Sequence, residues 1–326
     1  MLRPRILLVA LVCALLSPFA ARGGVVTQDP CPGHITPPAV WKSFGTDVLE
    51  NLLFADGSLW VSNSGADRLI RLGPDGAEQG GLDGVPPGGL AVGPDGLIYM
   101  GWGNSIPDSL LRRGLSRVVR FDAADPAGTL ETYAEGFDMA NGLVFAPNGD
   151  LFVSNDVGRG LVRIPRRYPE AWTVLDIWGT NGLVVDPAGE NIYAAITFDQ
   201  RSPIERIPIA DPAAHETAAV LTAGVLSLQP AVYTDPDLSK PLVGIKGLDD
   251  MTRTADGTLY VVATGLGELL RVDPVTGDAC LVAAGFRNPA SVRIAPAGSP
   301  FDVSGEDLTL YVVGWDGRIT VVGYTP

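Results

Sequence analysis

The sequence predicts an all-β fold, a six-bladed β-propeller of four-stranded antiparallel blades, and three observations predict it. An apolar strand, a tight turn on Asp-Gly, Asn-Gly or Gly, and a second apolar strand recur as one unit six times along the 326 residues. The copies start at positions 50, 88, 141, 181, 249 and 290, so three of the five intervals are 38, 40 and 41 residues, the length of one propeller blade. The chain also holds 40 Gly and 27 Pro, which suits many short strands joined by turns.

Taken in order, Glu50-Asn51-Leu52 runs through Asp56-Gly57 into Leu59-Trp60-Val61, and Gly88-Gly89-Leu90 runs through Asp95-Gly96 into Leu97-Ile98-Tyr99. Asn141-Gly142-Leu143 leads through Asn148-Gly149 to Leu151-Phe152-Val153, and Asn181-Gly182-Leu183 through Ala188-Gly189 to Ile192-Tyr193. Asp249-Asp250-Met251 leads through Asp256-Gly257 to Leu259-Tyr260-Val261, and Ala290-Ser291-Val292-Arg293 precedes the last strands. A third strand carrying a basic residue is visible at Asp67–Leu72, Ser116–Phe121, Gly160–Ile164 and Glu268–Val272; each is a short apolar run bounded by turn formers. Trp60, Tyr99, Phe152, Tyr193 and Tyr260 share one place in the second strand, where aromatic rings are expected to pack between blades.

The two remaining intervals, 53 and 68 residues, are too long for a blade. One insertion falls around Trp102–Asp108 with Arg112 and Arg113. The other spans about Gln200 to Ile245, and its Ala213–Leu221 segment suggests a short helix. Long loops in a compact domain commonly carry function, so both are candidate lids.

Residues 1–23 read as a secretory signal peptide, with Arg3 and Arg5 ahead of an apolar run from Ile6 to Leu16 and small residues after it. The run is too short to span a bilayer. The expected mature protein, 24–326, is a single propeller domain, secreted or periplasmic, with no membrane insertion and a monomeric state. Two cysteines would remain, Cys31 and Cys280, and in an oxidising compartment they are disulfide candidates. The formal charge of −14 becomes −17 once the leader's three Arg are removed. Such an acidic chain is not expected to bind nucleic acid, which demands a basic surface.

A propeller brings the starts of its innermost strands together at the axis. Glu50, Asn141, Asn181 and Asp249 occupy that position in blades one, three, four and five. Any one of them alone reads as a turn or solvated residue. Together they offer two carboxylates and two amide oxygens, a hard-oxygen set suited to a divalent cation, Ca²⁺ first, with Zn²⁺, Mn²⁺ and Mg²⁺ as alternatives.

On these residues, the chain after about position 38 resembles the SMP-30/gluconolactonase/luciferin-regenerating propellers and, more distantly, the paraoxonases. The resemblance implies that Glu50, Asn181 and Asp249 are metal ligands, and that Asn141 ligates or holds a metal-bound water or the substrate. It differs at Met139, where sugar lactonases of this kind carry an Arg, and at Asp250, where the family has Gly. Asn141, Met139 and Trp102 are the expected substrate-binding residues, with Trp178 a further pocket candidate. His34 and His215 are expected at the surface.

The expected activity is metal-assisted hydrolysis of a small-molecule lactone or ester, with Asp249 or Asp250 accepting a proton from the attacking water. No Gly-x-Ser-x-Gly elbow and no phosphate-binding Gly-rich loop is present, which argues against a serine hydrolase or nucleotide enzyme. Two alternatives share the scaffold: a non-catalytic binding propeller with a structural cation, and a strictosidine-synthase-like lyase.

Overall fold

The structure, a computed structural model, describes residues 28–104, 109–157, 160–199, 201–221 and 246–326. The signal-peptide segment and the second half of the Gln200–Ile245 insertion lie outside them. The described chain forms six antiparallel sheets, five of them taken in chain order from the innermost strand outward. Blade one comprises Leu49–Ala55, Ser58–Asn63, Arg68–Leu72 and Glu78–Asp83. Blade two comprises Pro87–Val92, Ile98–Trp102, Ser116–Phe121 and Glu131–Phe137. Blade three comprises Leu143–Phe145, Leu151–Val153, Leu161–Ile164 and Thr173–Leu175. Blade four comprises Thr180–Val185, Asn191–Ile196, Pro203–Pro208 and Glu216–Val220. Blade five comprises Leu248–Arg253, Leu259–Ala263, Glu268–Val272 and Ala279–Ala284.

Blade six closes the ring with both ends of the chain. Its inner strands are Pro289–Ile294, Leu308–Gly314 and Arg318–Thr325, and its outer edge is supplied by His34–Ile35 and Ala39–Ser43, which pair with Arg318–Thr325. Just upstream, Cys31 N–H donates to the Leu281 carbonyl of blade five at 2.9 Å, and Cys31 is disulfide-bonded to Cys280 across 249 residues of sequence. The N-terminal arm is thus fixed to blade five before it completes blade six.

Hydrophobic clusters occupy all six junctions between adjacent blades. The recurring aromatic and basic residues account for each other. Trp60 faces Arg71 across the sheet, as Tyr99 faces Arg120 and Phe152 faces Arg163. The three guanidiniums lie 5.4, 6.0 and 5.8 Å from those rings, close enough for cation–π attraction. Each then reaches the turn acid of its own blade: Asp56 at 2.9 Å, Asp95 at 3.3 Å and Asp150 at 2.6 Å. The turns themselves need positive φ, as at Asp56-Gly57, where φ is 49° and 65°, the two-residue hairpin geometry.

Part of the expected second insertion is ordinary blade. Pro203–Pro208 and Glu216–Val220 are the outer strands of blade four, so the helix anticipated over Ala213–Leu221 is replaced by a single 3₁₀ turn, Pro212–Ala214, and a strand. Edge pairing with Pro203–Arg206 satisfies the backbone of this stretch, which a helix of so few residues could not do as well.

At the axis, glycine has a second role. An added Cβ on Gly89 would lie 2.0 Å from the Asn141 carbonyl oxygen, one on Gly142 would lie 2.5 Å from the Asn181 carbonyl oxygen, and one on Gly182 would lie 2.5 Å from Asp250 Cα. These glycines have no positive φ, so Asn141-Gly142 and Asn181-Gly182 are not turns but close contacts between neighbouring inner strands.

Two outcomes follow from this packing. Gly182→Ala should destabilise by about 1–3 kcal/mol through overpacking, measured by urea titration. Replacing Cys31 and Cys280 by Ser should cost about 2–4 kcal/mol, with no further loss on adding reductant, whereas reductant should destabilise the parent by the same amount.

Candidate functional site

The inner strands share a local distortion that aims their first residues. Pairing between first and second strands breaks register at Leu49/Asn51, Pro87/Leu90, Thr180/Leu183, Leu248/Met251 and Pro289/Ser291. In blade three, Asn141 and Gly142 together face Ser154. Each is a two-against-one arrangement of the kind that turns a side chain off the sheet face. The residues so placed are Glu50, Gly88, Asn141, Asn181, Asp249 and Ala290, so the structure brings the four polar ones to corresponding positions.

Residues just beyond the end of the second strand then brace them. Thr264 Oγ1 lies 2.9 Å from Asp249 Oδ2 and 2.6 Å from the Pro289 carbonyl of blade six. Thr197 Oγ1 accepts from Asn181 Nδ2 at 3.0 Å and donates to the Leu248 carbonyl of blade five at 2.7 Å. Asp156 accepts from the Asn141 side chain. Trp315 Nε1, from blade six, donates to Glu50 Oε2 at 2.9 Å. Sequence reasoning missed Asp156, Thr197, Thr264 and Trp315. Their signal was present, since all four stand at the same register of the repeat.

Electrostatics sets the character of the site. Asp249 and Asp250 are buried, while Glu50 and Asp156 keep some accessible surface. Desolvation raises the Glu50 carboxyl to about 7 against the Trp315 hydrogen bond, with Asp156 and Asp250 adding repulsion. Asp249 is raised well above the usual carboxylate range by desolvation and by Glu50, with Thr264 opposing. Asp156 is raised to about 6 by desolvation, against hydrogen bonds that include the one from Asn141.

Asp250 is placed differently. Its Oδ2 accepts from Ser291 Oγ and from Arg293 Nη1, each at 2.5 Å, and Asn51 Nδ2 lies 3.4 Å away. It ties blades five, six and one together, whereas glycine lies at the contacts of blade two with three, three with four and four with five.

The remaining expected residues are also fixed. Met139 is buried, and Trp102 is half-buried with the Arg117 guanidinium 4.4 Å from its ring centroid. Asn104, two residues on, donates to Asn141 Oδ1 at 3.3 Å. His34 and His215 stand outside this group, paired with Glu306 and Glu205 respectively.

Whether these donors suit a cation can be judged from their chemistry. All are hard oxygens, with neither thiolate nor imidazole among them, which favours Ca²⁺-like ions over soft metals. Asn181 spends its amide hydrogens on Thr197 and on Asp249 Oδ1 at 2.8 Å, leaving its oxygen as the atom it can offer. Among the described residues no group of three or more His, Cys, Asp or Glu side chains is arranged to hold a metal. A cation would therefore need the amide oxygens of Asn181 and Asn141 beside Glu50 and Asp249. The fit is chemical: desolvated carboxylates facing one another favour either protons or a cation.

No protein-family model matches the sequence, and no curated protein matches it. Solved structures match broadly. A gluconolactonase from Xanthomonas campestris has a TM-score of 0.63 at 15% identity, over 94% of this chain and 99% of its own. The calcium-binding protein regucalcin from Agrobacterium tumefaciens has a TM-score of 0.62 at 17% identity, over 92% of this chain and 96% of its own. The fold is that of gluconolactonase and regucalcin. Virginiamycin B lyase from Staphylococcus aureus shares it at a TM-score of 0.55 and 14% identity, over 89% of this chain and 99% of its own.

The raised carboxyls give a pH signature to the cation-free protein. Glu50 rises from 4.5 to about 7 and Asp156 from 3.8 to about 6; the folded values exceed the unfolded ones, so their contribution is full below about pH 4 and lost as pH rises through 6 to 7. In chelator, the unfolding free energy should fall across this window, by up to about 1.4 kcal/mol for each group over each pH unit between its unfolded and folded values. Glu50→Gln should flatten that fall, as followed by urea unfolding across the pH range.

Proposed function

We propose that the chain is a divalent-cation-dependent hydrolase of cyclic esters, exported by its N-terminal leader. One observation carries the reading: Glu50, Asn181 and Asp249, with Asn141 and Asp156 beside them, converge as an oxygen-only set of desolvated groups on a scaffold shared with a gluconolactonase. Glu50, Asp249 and Asn181 would hold the cation, with Asn141 completing the set. When bound, the cation supplies a Lewis acid that polarises the ester carbonyl and stabilises its developing negative charge.

The chain's own groups divide the remaining work. Trp315 and Thr264 hold the Glu50 and Asp249 carboxyls in place, so that little reorganisation is needed when charge develops. Proton acceptance falls to a carboxylate outside the ligand set. Asp249 is committed if it ligates, and Asp250 is engaged by Arg293 and Ser291. Asp156, raised to about 6 and oriented by Asn141, suits general-base duty near neutral pH. Water adds to the carbonyl carbon, its proton passes to Asp156, and the same proton returns to the alkoxide as the ring C–O bond breaks.

The test is metal content of the purified mature protein together with turnover of aliphatic, aromatic and sugar lactones, with and without chelator. Glu50→Gln and Asp249→Asn should lose cation and turnover together. Asp156→Asn should retain the cation and lose about 10²–10⁴-fold in kcat, the usual contribution of a general base. A metal-free protein that turns over no lactone would overturn the reading.

A further inference from the structure

The segment beginning at Ser109 is built onto the flanks of the candidate site. Ser109 is buried and donates through Oγ to Asn155 Oδ1 at 3.1 Å, one residue from Asp156. Gly114 N–H donates to Asp138 Oδ1 at 3.3 Å, three residues from Asn141. Both tethers therefore end on the stretches of chain that carry Asn141 and Asp156.

This segment presents three leucines to solvent, with the exposed Arg112 and Arg113 between them. Leu110, Leu111 and Leu115 are 45%, 62% and 63% exposed, and no other described leucine is among the exposed large hydrophobic residues. Trp178, 40% exposed, lies three residues before Asn181, at the entry to the inner strand of blade four. Three exposed leucines within six residues are unfavourable in water unless something covers them. Their continuity with the Asn141–Asp156 flank makes the bound substrate the occupant that fits.

The amide donors at the axis are, by contrast, largely engaged within the protein. Asn104 engages Asn141, Asn181 engages Thr197 and Asp249, and Asn51 and Arg293 engage Asp250. A polyhydroxylated ring would forfeit hydrogen bonds to water without gaining full replacements, an expensive exchange. The buried Met139 adds no donor.

Resting on the hydrolase reading, we propose that the site takes lactones or esters bearing an apolar substituent, which lies along Leu110, Leu111 and Leu115 and against Trp178, in preference to sugar lactones. The experiment measures kcat/KM for γ-lactones of increasing alkyl side-chain length and for D-gluconolactone, using the mature protein and the double variant Leu111→Ser/Leu115→Ser. In the parent, kcat/KM should rise about threefold to fourfold per added methylene over the first several carbons, the gain expected for burying each one, and should exceed that for gluconolactone. In the variant the rise should collapse while its circular dichroism spectrum and melting profile match the parent's. A parent series that is flat, a preference for gluconolactone, or a variant that keeps the full slope would each overturn the proposal while leaving the hydrolase reading intact. Failure to turn over any lactone would overturn both.

Discussion

Six inner strands meeting around one axis approach their neighbours closely, and that constraint organises the rest of the molecule. Where the approach is tightest, at Gly89, Gly142 and Gly182, even a methyl group would press into the next blade's backbone. Elsewhere the junction is filled, with Asp250 of blade five gripped by Ser291 and Arg293 of blade six and approached by Asn51 of blade one. Three junctions are therefore closed by glycine, and two, between blades five and six and between six and one, by a charged network. Both devices bring consecutive blades close enough for a threonine of one to bond the backbone of the next.

That closeness also creates the site. A residue preceding each junction has to leave the sheet, and the register breaks at the inner strands direct it. The side chains so directed are kept from water, which is why their carboxyls titrate high. Withdrawing acids from water costs stability. Disulfide, aromatic junctions and Arg–Asp turns supply that stability at the periphery, away from the axis.

The fold was legible because its signals are local and repeated: period-two alternation, Asp-Gly turns and a blade-length interval each survive in a single sequence. The four aligned polar positions were legible for the same reason, since Glu50, Asn141, Asn181 and Asp249 share a register. Their braces were harder to see. Asp156, Thr197, Thr264 and Trp315 are chemically unlike one another, so no residue type marks the register they share. The engagement of Asp250 by Arg293, 43 residues away, was equally hidden, because only the packing of blade six on blade five brings the two together. The outer edge of blade six was equally obscure, because it comes from the opposite end of the chain.

The difference between Asp249 and Asp250 shows how the scaffold assigns unlike roles to identical neighbours. The register break sends the two side chains different ways. Asp249 turns toward Asn181, Thr264 and the repulsion of Glu50. Asp250 turns toward a guanidinium and a hydroxyl that consume its lone pairs. A carboxylate satisfied by a fixed cation has little left to give a proton or a metal, whereas one facing another acid has a standing demand for either. Backbone geometry at one bulge, not residue identity, therefore decides which of two adjacent aspartates is ion-paired and which faces another acid.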